Sequence, residues 1–71
     1  MRVGRAERHW QAAQSHDLAA GRHELAAQRW ADRGDTARAD LERRNVEIER
    51  LAAQLERDRA MLEESDPLLD V

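Results

Sequence analysis

Between His9 and Trp30 the chain repeats every seven residues: HWQAAQS, HDLAAGR, HELAAQR, and then Trp30 where a fourth histidine would fall. Positions 9, 16, 23 and 30 form one register, Ala12, Ala19 and Ala26 a second, and Ala6, Ala13, Ala20 and Ala27 a third. A repeat this regular has one common physical meaning, an α-helix that keeps one face against another helix, because every seventh side chain returns to the same side. It constrains the fold and says little about a reaction or a ligand.

With 71 residues there is room for one small domain, and chains this short often need a disulfide, a metal or a second subunit to hold together. Cysteine is absent, which closes the disulfide route and thiolate metal sites and suits a reducing compartment. Abundant charge, two aromatics and one proline fit long helices better than sheets. No apolar run approaches the ~20 residues of a membrane span, and Met1–Arg8 lack the apolar core of a signal peptide, so the expected location is cytoplasmic. All basic residues are arginine, which with the abundant alanine fits the codon bias of a GC-rich genome. The net charge is −3, and the arginines alternate with Asp and Glu; even Arg43-Arg44 is flanked by Glu42 and Glu47. That pattern is a solvated helix face and lacks the basic patch of a nucleic-acid binder.

The first helix is expected over about residues 5–33, with no strong capping residue at its start. At its end Gly34 can take the left-handed conformation that closes a helix, and Arg29 and Arg33 complement the negative end of the dipole. Asp35 or Thr36 then caps a second helix, over about residues 36–64. Ser65-Asp66-Pro67 stops it, because proline disfavours helical geometry in the residue before it. Residues 65–71 read as a flexible tail.

The second helix has its own seven-residue stripe, Leu41, Ile48, Leu55 and Leu62. A reversal at Gly34 would bring together residues whose numbers sum to about twice 34. Ala27 then meets Leu41, Ala20 meets Ile48, Ala13 meets Leu55 and Ala6 meets Leu62. Trp30 plugs the turn end, and Leu51 joins the core opposite His16. The predicted fold is therefore all-α, an antiparallel two-helix hairpin about 45 Å long. Leu18 and Leu25, with Gly21 between them, lie about 160° from the histidine register, and Val46, Ala53 and Ala60 make a comparable second stripe. Trp10 flanks the open end. These residues are the expected interface to a partner or to further copies, and two hairpins forming a four-helix bundle or larger homo-oligomer would cover them.

Histidines seven apart rise about 10.5 Å along a helix, so no two of them can share one ion with ligand atoms ~2 Å away. Neither HExxH nor ExxH spacing is completed, and a metal site would have to combine residues such as His9, His16, His23 and Asp58 across subunits. The plainer reading makes the histidines layer residues with their nitrogens bonded to Asp, Asn45 or water, or a pH-sensitive contact. Ser15, Thr36 and Ser65 are the only hydroxyls, no glycine-rich phosphate loop exists, and a thin hairpin offers no concave pocket. No catalytic residue and no cofactor are expected.

The block HDLAAGRHELAAQRWADRGDTARADLERR, within residues 9–44, resembles short actinobacterial proteins that carry histidine-x-x-alanine-alanine heptads before a Gly-Asp turn and a second helix. The resemblance implies a helical hairpin and no activity. The secreted WXG-type hairpins do not fit, since Trp30 and Gly34 stand four apart instead of two. The function read from the sequence is a non-enzymatic protein–protein interaction module, a scaffold, adaptor or regulator that self-associates through helix packing. A helical bundle holding metal or ligand through inter-subunit histidines is the alternative, and a small nucleic-acid-associated regulator the third reading. The tail Asp66–Val71 could serve as a peptide ligand for another protein.

Overall fold

A computed structural model describes residues 4–65. Helix α1 spans Arg5–Asp32 and helix α2 spans Thr36–Ser65, each end within one residue of the position read from the sequence. The expected tail falls almost wholly outside the described residues. No side chain caps the start of α1, where Gly4 is extended and its carbonyl accepts from Arg8 N–H.

The reversal is built by backbone geometry that only a few residues tolerate. Gly34 has φ +77, which a residue with a Cβ adopts at a steric cost. Its N–H donates to the Ala31 carbonyl at 2.9 Å, and Asp35 N–H donates to the Trp30 carbonyl, also at 2.9 Å. These are the two crossed bonds of a Schellman closure, which satisfies the carbonyls of Trp30 and Ala31. The Asp35 carboxylate then accepts from Arg38 N–H at 3.0 Å and starts α2. Trp30 sits half-buried beside this turn, with the guanidinium carbons of Arg33 and Arg38 at 5.4 and 5.1 Å from its ring centre.

Beyond the turn the helices run antiparallel, and side-chain bonds fix their register. His9 pairs with Glu56, His16 with Glu49 and His23 with Glu42, so the partner numbers sum to 65. This is three short of the sum anticipated from Gly34, and the shift changes which stripe of α2 faces inward. The seam is made of Ala13, Ala20 and Ala27 on α1 against Ala39, Val46, Ala53 and Ala60 on α2. Ala6 stands half-buried at the open end.

The expected core on α2 is therefore corrected. Leu41, Ile48, Leu55 and Leu62 lie on the outer side of α2, and Leu51, at 72 % exposed, lies there too. Val46 and Ala53, read as an outward interface, are inside the hairpin. The physical reason is the identity of the flanking residues. Turning the leucines inward would set His23 beside Arg44 and leave the α2 glutamates without the histidines. The observed rotation gives both flanks of the seam a partner, and methyl-sized side chains let the helix axes approach closely.

Candidate functional site

Three features of this hairpin could do chemistry or recognition: the two polar ladders that flank the seam, and the apolar surface left outside it. On one flank the ladder is histidine against glutamate. His9 Nδ1 stands 2.5 Å from Glu56 Oε2, His16 Nδ1 2.6 Å from Glu49 Oε2, and His23 Nδ1 2.6 Å from Glu42 Oε2. His9 Nε2 also faces Glu63 Oε1 at 3.5 Å, while the other carboxylate oxygen of Glu63 is buried with no partner. The bond from His9, reinforced by Arg59, holds the Glu56 carboxyl below the usual glutamate range.

The opposite flank is acid against arginine. Asp17 accepts from Arg57 at 2.9 Å, Glu24 pairs with Arg50, and Trp10 Nε1 donates to Glu64 at 2.6 Å. Partner numbers on this flank sum to 74, the same antiparallel register one helical row over. An open groove of about 460 Å³ lies near the turn on this flank, between the Glu24–Arg50 pair and Arg43. Its charges largely neutralise one another, and no convergent set of unpaired polar groups marks it as a binding pocket.

The expected metal candidates separate in space. His9, His16 and His23 each face a different glutamate, and Asp58 bonds to Gln54 instead of His9. Among the described residues no three His, Asp or Glu side chains converge so as to hold an ion.

Leu18 and Leu25 are outward, as the heptad spacing predicts, with Gly21 exposed between them and open space where its Cβ would stand. Trp10 is more than one-third exposed at the open end. The larger apolar surface is the one the sequence reading assigned to the hairpin's own interior: Leu41, Ile48, Leu55 and Leu62 on α2, each at least half exposed. Helical geometry places this stripe on the same side of the hairpin as the histidine–glutamate ladder, with Arg38, Asn45, Ala52 and Arg59 between stripe and ladder on α2, and half-buried Ala12, Ala19 and Ala26 beyond the ladder on α1. The signal that could have located the ladder is the Glu42, Glu49, Glu56, Glu63 heptad, which has the period of the histidines and runs antiparallel to them.

The arrangement defines a class, an antiparallel helical hairpin with a small-residue seam. No protein-family model, curated protein or solved structure matches the chain. Among the described residues, no helix is long and apolar enough to cross a membrane.

Proposed function

We propose that this protein is a non-enzymatic interaction module that self-associates through helix packing and serves as a scaffold, adaptor or regulator of another protein. The observation that carries this reading is the inversion of side-chain size. Six alanines and one valine make up the buried residues of the hairpin, while five leucine or isoleucine side chains of α2 are at least half exposed. A buried methyl contributes about 0.8 kcal/mol, whereas covering a leucine contributes roughly 1.5–3 kcal/mol. Fixing one residue's backbone costs about 1–2 kcal/mol, so a seam of methyl groups is a thin return for ordering some sixty residues. Covering the outer stripe supplies what the seam lacks.

A contiguous exposed apolar stripe on a helix otherwise rich in charge is the mark of a helix–helix contact with a further chain. Light scattering on the eluting protein tests the reading: the expected mass is at least twice the 8.2 kDa chain at micromolar concentration. A cooperatively folded 8.2 kDa species at hundreds of micromolar would overturn it.

A further inference from the structure

We infer that two copies of this chain pair back to back through α2, running in opposite directions about a two-fold axis at Leu51, with Arg44 of each copy against Asp58 of the other. The pairing rests on the self-association proposed above and gives it a partner, a surface and a direction.

The side of α2 turned away from α1 consists of two rows. With seven residues per two turns, the row of Leu41, Ile48, Leu55 and Leu62 lies about 150° to one side of the Ala39–Ala60 seam, and the row of Arg44, Leu51 and Asp58 about 150° to the other. The rows are therefore about 50° apart, and together they advance in alternating steps of three and four residues over three heptads. That is the pattern of a helix face that packs on another helix. Its leucines and isoleucine are 50–72 % exposed. On the back of α1, by contrast, Leu18 and Leu25 stand among Arg8, Ser15, Arg22 and Arg29, so α2 carries the apolar back of the hairpin.

The two charged positions of the strip, Arg44 and Asp58, decide what covers it. They are opposite in sign, exposed, and stand seven residues to either side of Leu51. Among the described residues Asp58 accepts from the Gln54 amide at 2.9 Å, and Arg44 makes no ion pair. A charge within an apolar helix face weakens association unless a counter-charge meets it, and it thereby selects the direction of the partner.

Reversing a second α2 about Leu51 brings together residues whose numbers sum to about 102. Ile48 then lies beside Leu55 of the other copy and Leu41 beside Leu62. Arg44 lies beside Asp58, once on each side of the axis. The stagger of knobs into holes slides these pairs by three or four residues, about 4.5–6 Å, which an arginine side chain spans. The rims agree, since Asn45 comes beside Arg59 of the other copy and Glu47 beside Gln54, so no like charges face each other there. Two parallel copies would set Arg44 on Arg44 and Asp58 on Asp58, which opposes association. The symmetric placement of the two charges about Leu51 matches a second copy, which carries the same strip reversed.

Sedimentation equilibrium of the full chain tests the pairing through charge reversal. R44D and D58R each set two like-charge pairs across the axis, so the dissociation constant of each is expected to rise at least ~10-fold over the parent. R44D/D58R restores opposite charges and is expected to return to within about threefold of the parent. An equimolar mixture of R44D and D58R is expected to form the mixed pair at parent-like affinity, even where either variant alone is too weakly associated to fold. Because the chain has no cysteine, a single introduced thiol reads direction. Leu51→Cys, at the axis, is expected to give a disulfide-linked dimer on mild oxidation, and Leu41→Cys, about 30 Å from its copy, to give none. A parent dimer indifferent to either reversal, a double variant or mixture that stays weak, or Leu41→Cys crosslinking as readily as Leu51→Cys overturns the reversed pairing while self-association stands. A parent chain that is monomeric throughout overturns this inference and the proposed function together.

Discussion

His16 Nδ1 and Glu49 Oε2 stand 2.6 Å apart across the two helices, the middle rung of a ladder whose neighbours repeat the pair seven residues to either side. Because the rungs share one partner sum, each bond reports the same register, and the ladder resists sliding as a unit. The imidazole is about one-third exposed, which limits what any single rung contributes. A double-mutant cycle on His16→Ala and Glu49→Ala, read by urea denaturation, is expected to give a coupling of about 0.5–1 kcal/mol. A coupling indistinguishable from zero would show that the rung does not hold the register.

The small-residue seam predicts an inverted response to side-chain size. Ala53 is fully buried, and its methyl is what lets α1 approach. Ala53→Leu is expected to destabilise the chain by about 1–3 kcal/mol through overpacking, measured as a lower urea midpoint. Leu41→Ala, on the outer side, should leave the isolated hairpin nearly unchanged and weaken only its association. A destabilising Leu41→Ala in a verified monomer would contradict the orientation of α2.

Two glycines should respond oppositely to alanine. Gly34 needs its positive φ, so Gly34→Ala is expected to lower stability by about 1–2 kcal/mol, with Gly34→Asn milder. Gly21 is mid-helix with open space around its would-be Cβ, so Gly21→Ala is expected to raise stability by ~1 kcal/mol. Thermal melts followed by circular dichroism check both. A loss of association in Gly21→Ala would reveal a close contact on the acid–arginine side.

Acid should undo the hairpin through a small set of carboxylates. Glu56 is held below the ordinary glutamate range by its bond to His9, and Asp35 below the aspartate range by the Arg38 N–H and guanidinium. A carboxyl with a depressed folded-state pKa stabilises above its unfolded value, and that contribution is lost as pH falls through the folded one. Stability is therefore expected to decline from about pH 4.5 downward, where protonation in the unfolded chain begins. Helicity followed from pH 5 to pH 2 measures it, and Glu56→Gln should flatten the upper part of the decline. An unchanged acid limb in that variant would mean that other carboxylates carry it.

The polar ladders show how much of this surface was legible beforehand and what hid the rest. His9, His16 and His23 were visible as a stripe, and so was the need for acidic or polar partners at their nitrogens. The partners themselves were missed, because the register was set by centring the turn on Gly34 and by giving the largest apolar stripe to the nearest helix. Reading the Glu42–Glu63 heptad against the histidines would have given the observed pairing, as would matching Asp17 and Glu24 with Arg57 and Arg50. Helix α2 offers an apolar stripe on two of its sides, and burial alone ranks the leucines first.

From its sequence by itself the chain had determined two helices, their ends and the place of reversal, because periodicity, Gly34 and the Asp35 cap are local or nearly local properties. Inward placement of Ala13, Ala20 and Ala27 was equally readable, since with Ala6 they form the longest apolar register on α1, one residue longer than Ala12, Ala19 and Ala26. Which side of α2 meets them was decided only by tertiary structure. That choice depends on a sum over both flanks at once, imidazole against carboxylate on one and carboxylate against guanidinium on the other, and a few residues of sliding change every term in it together.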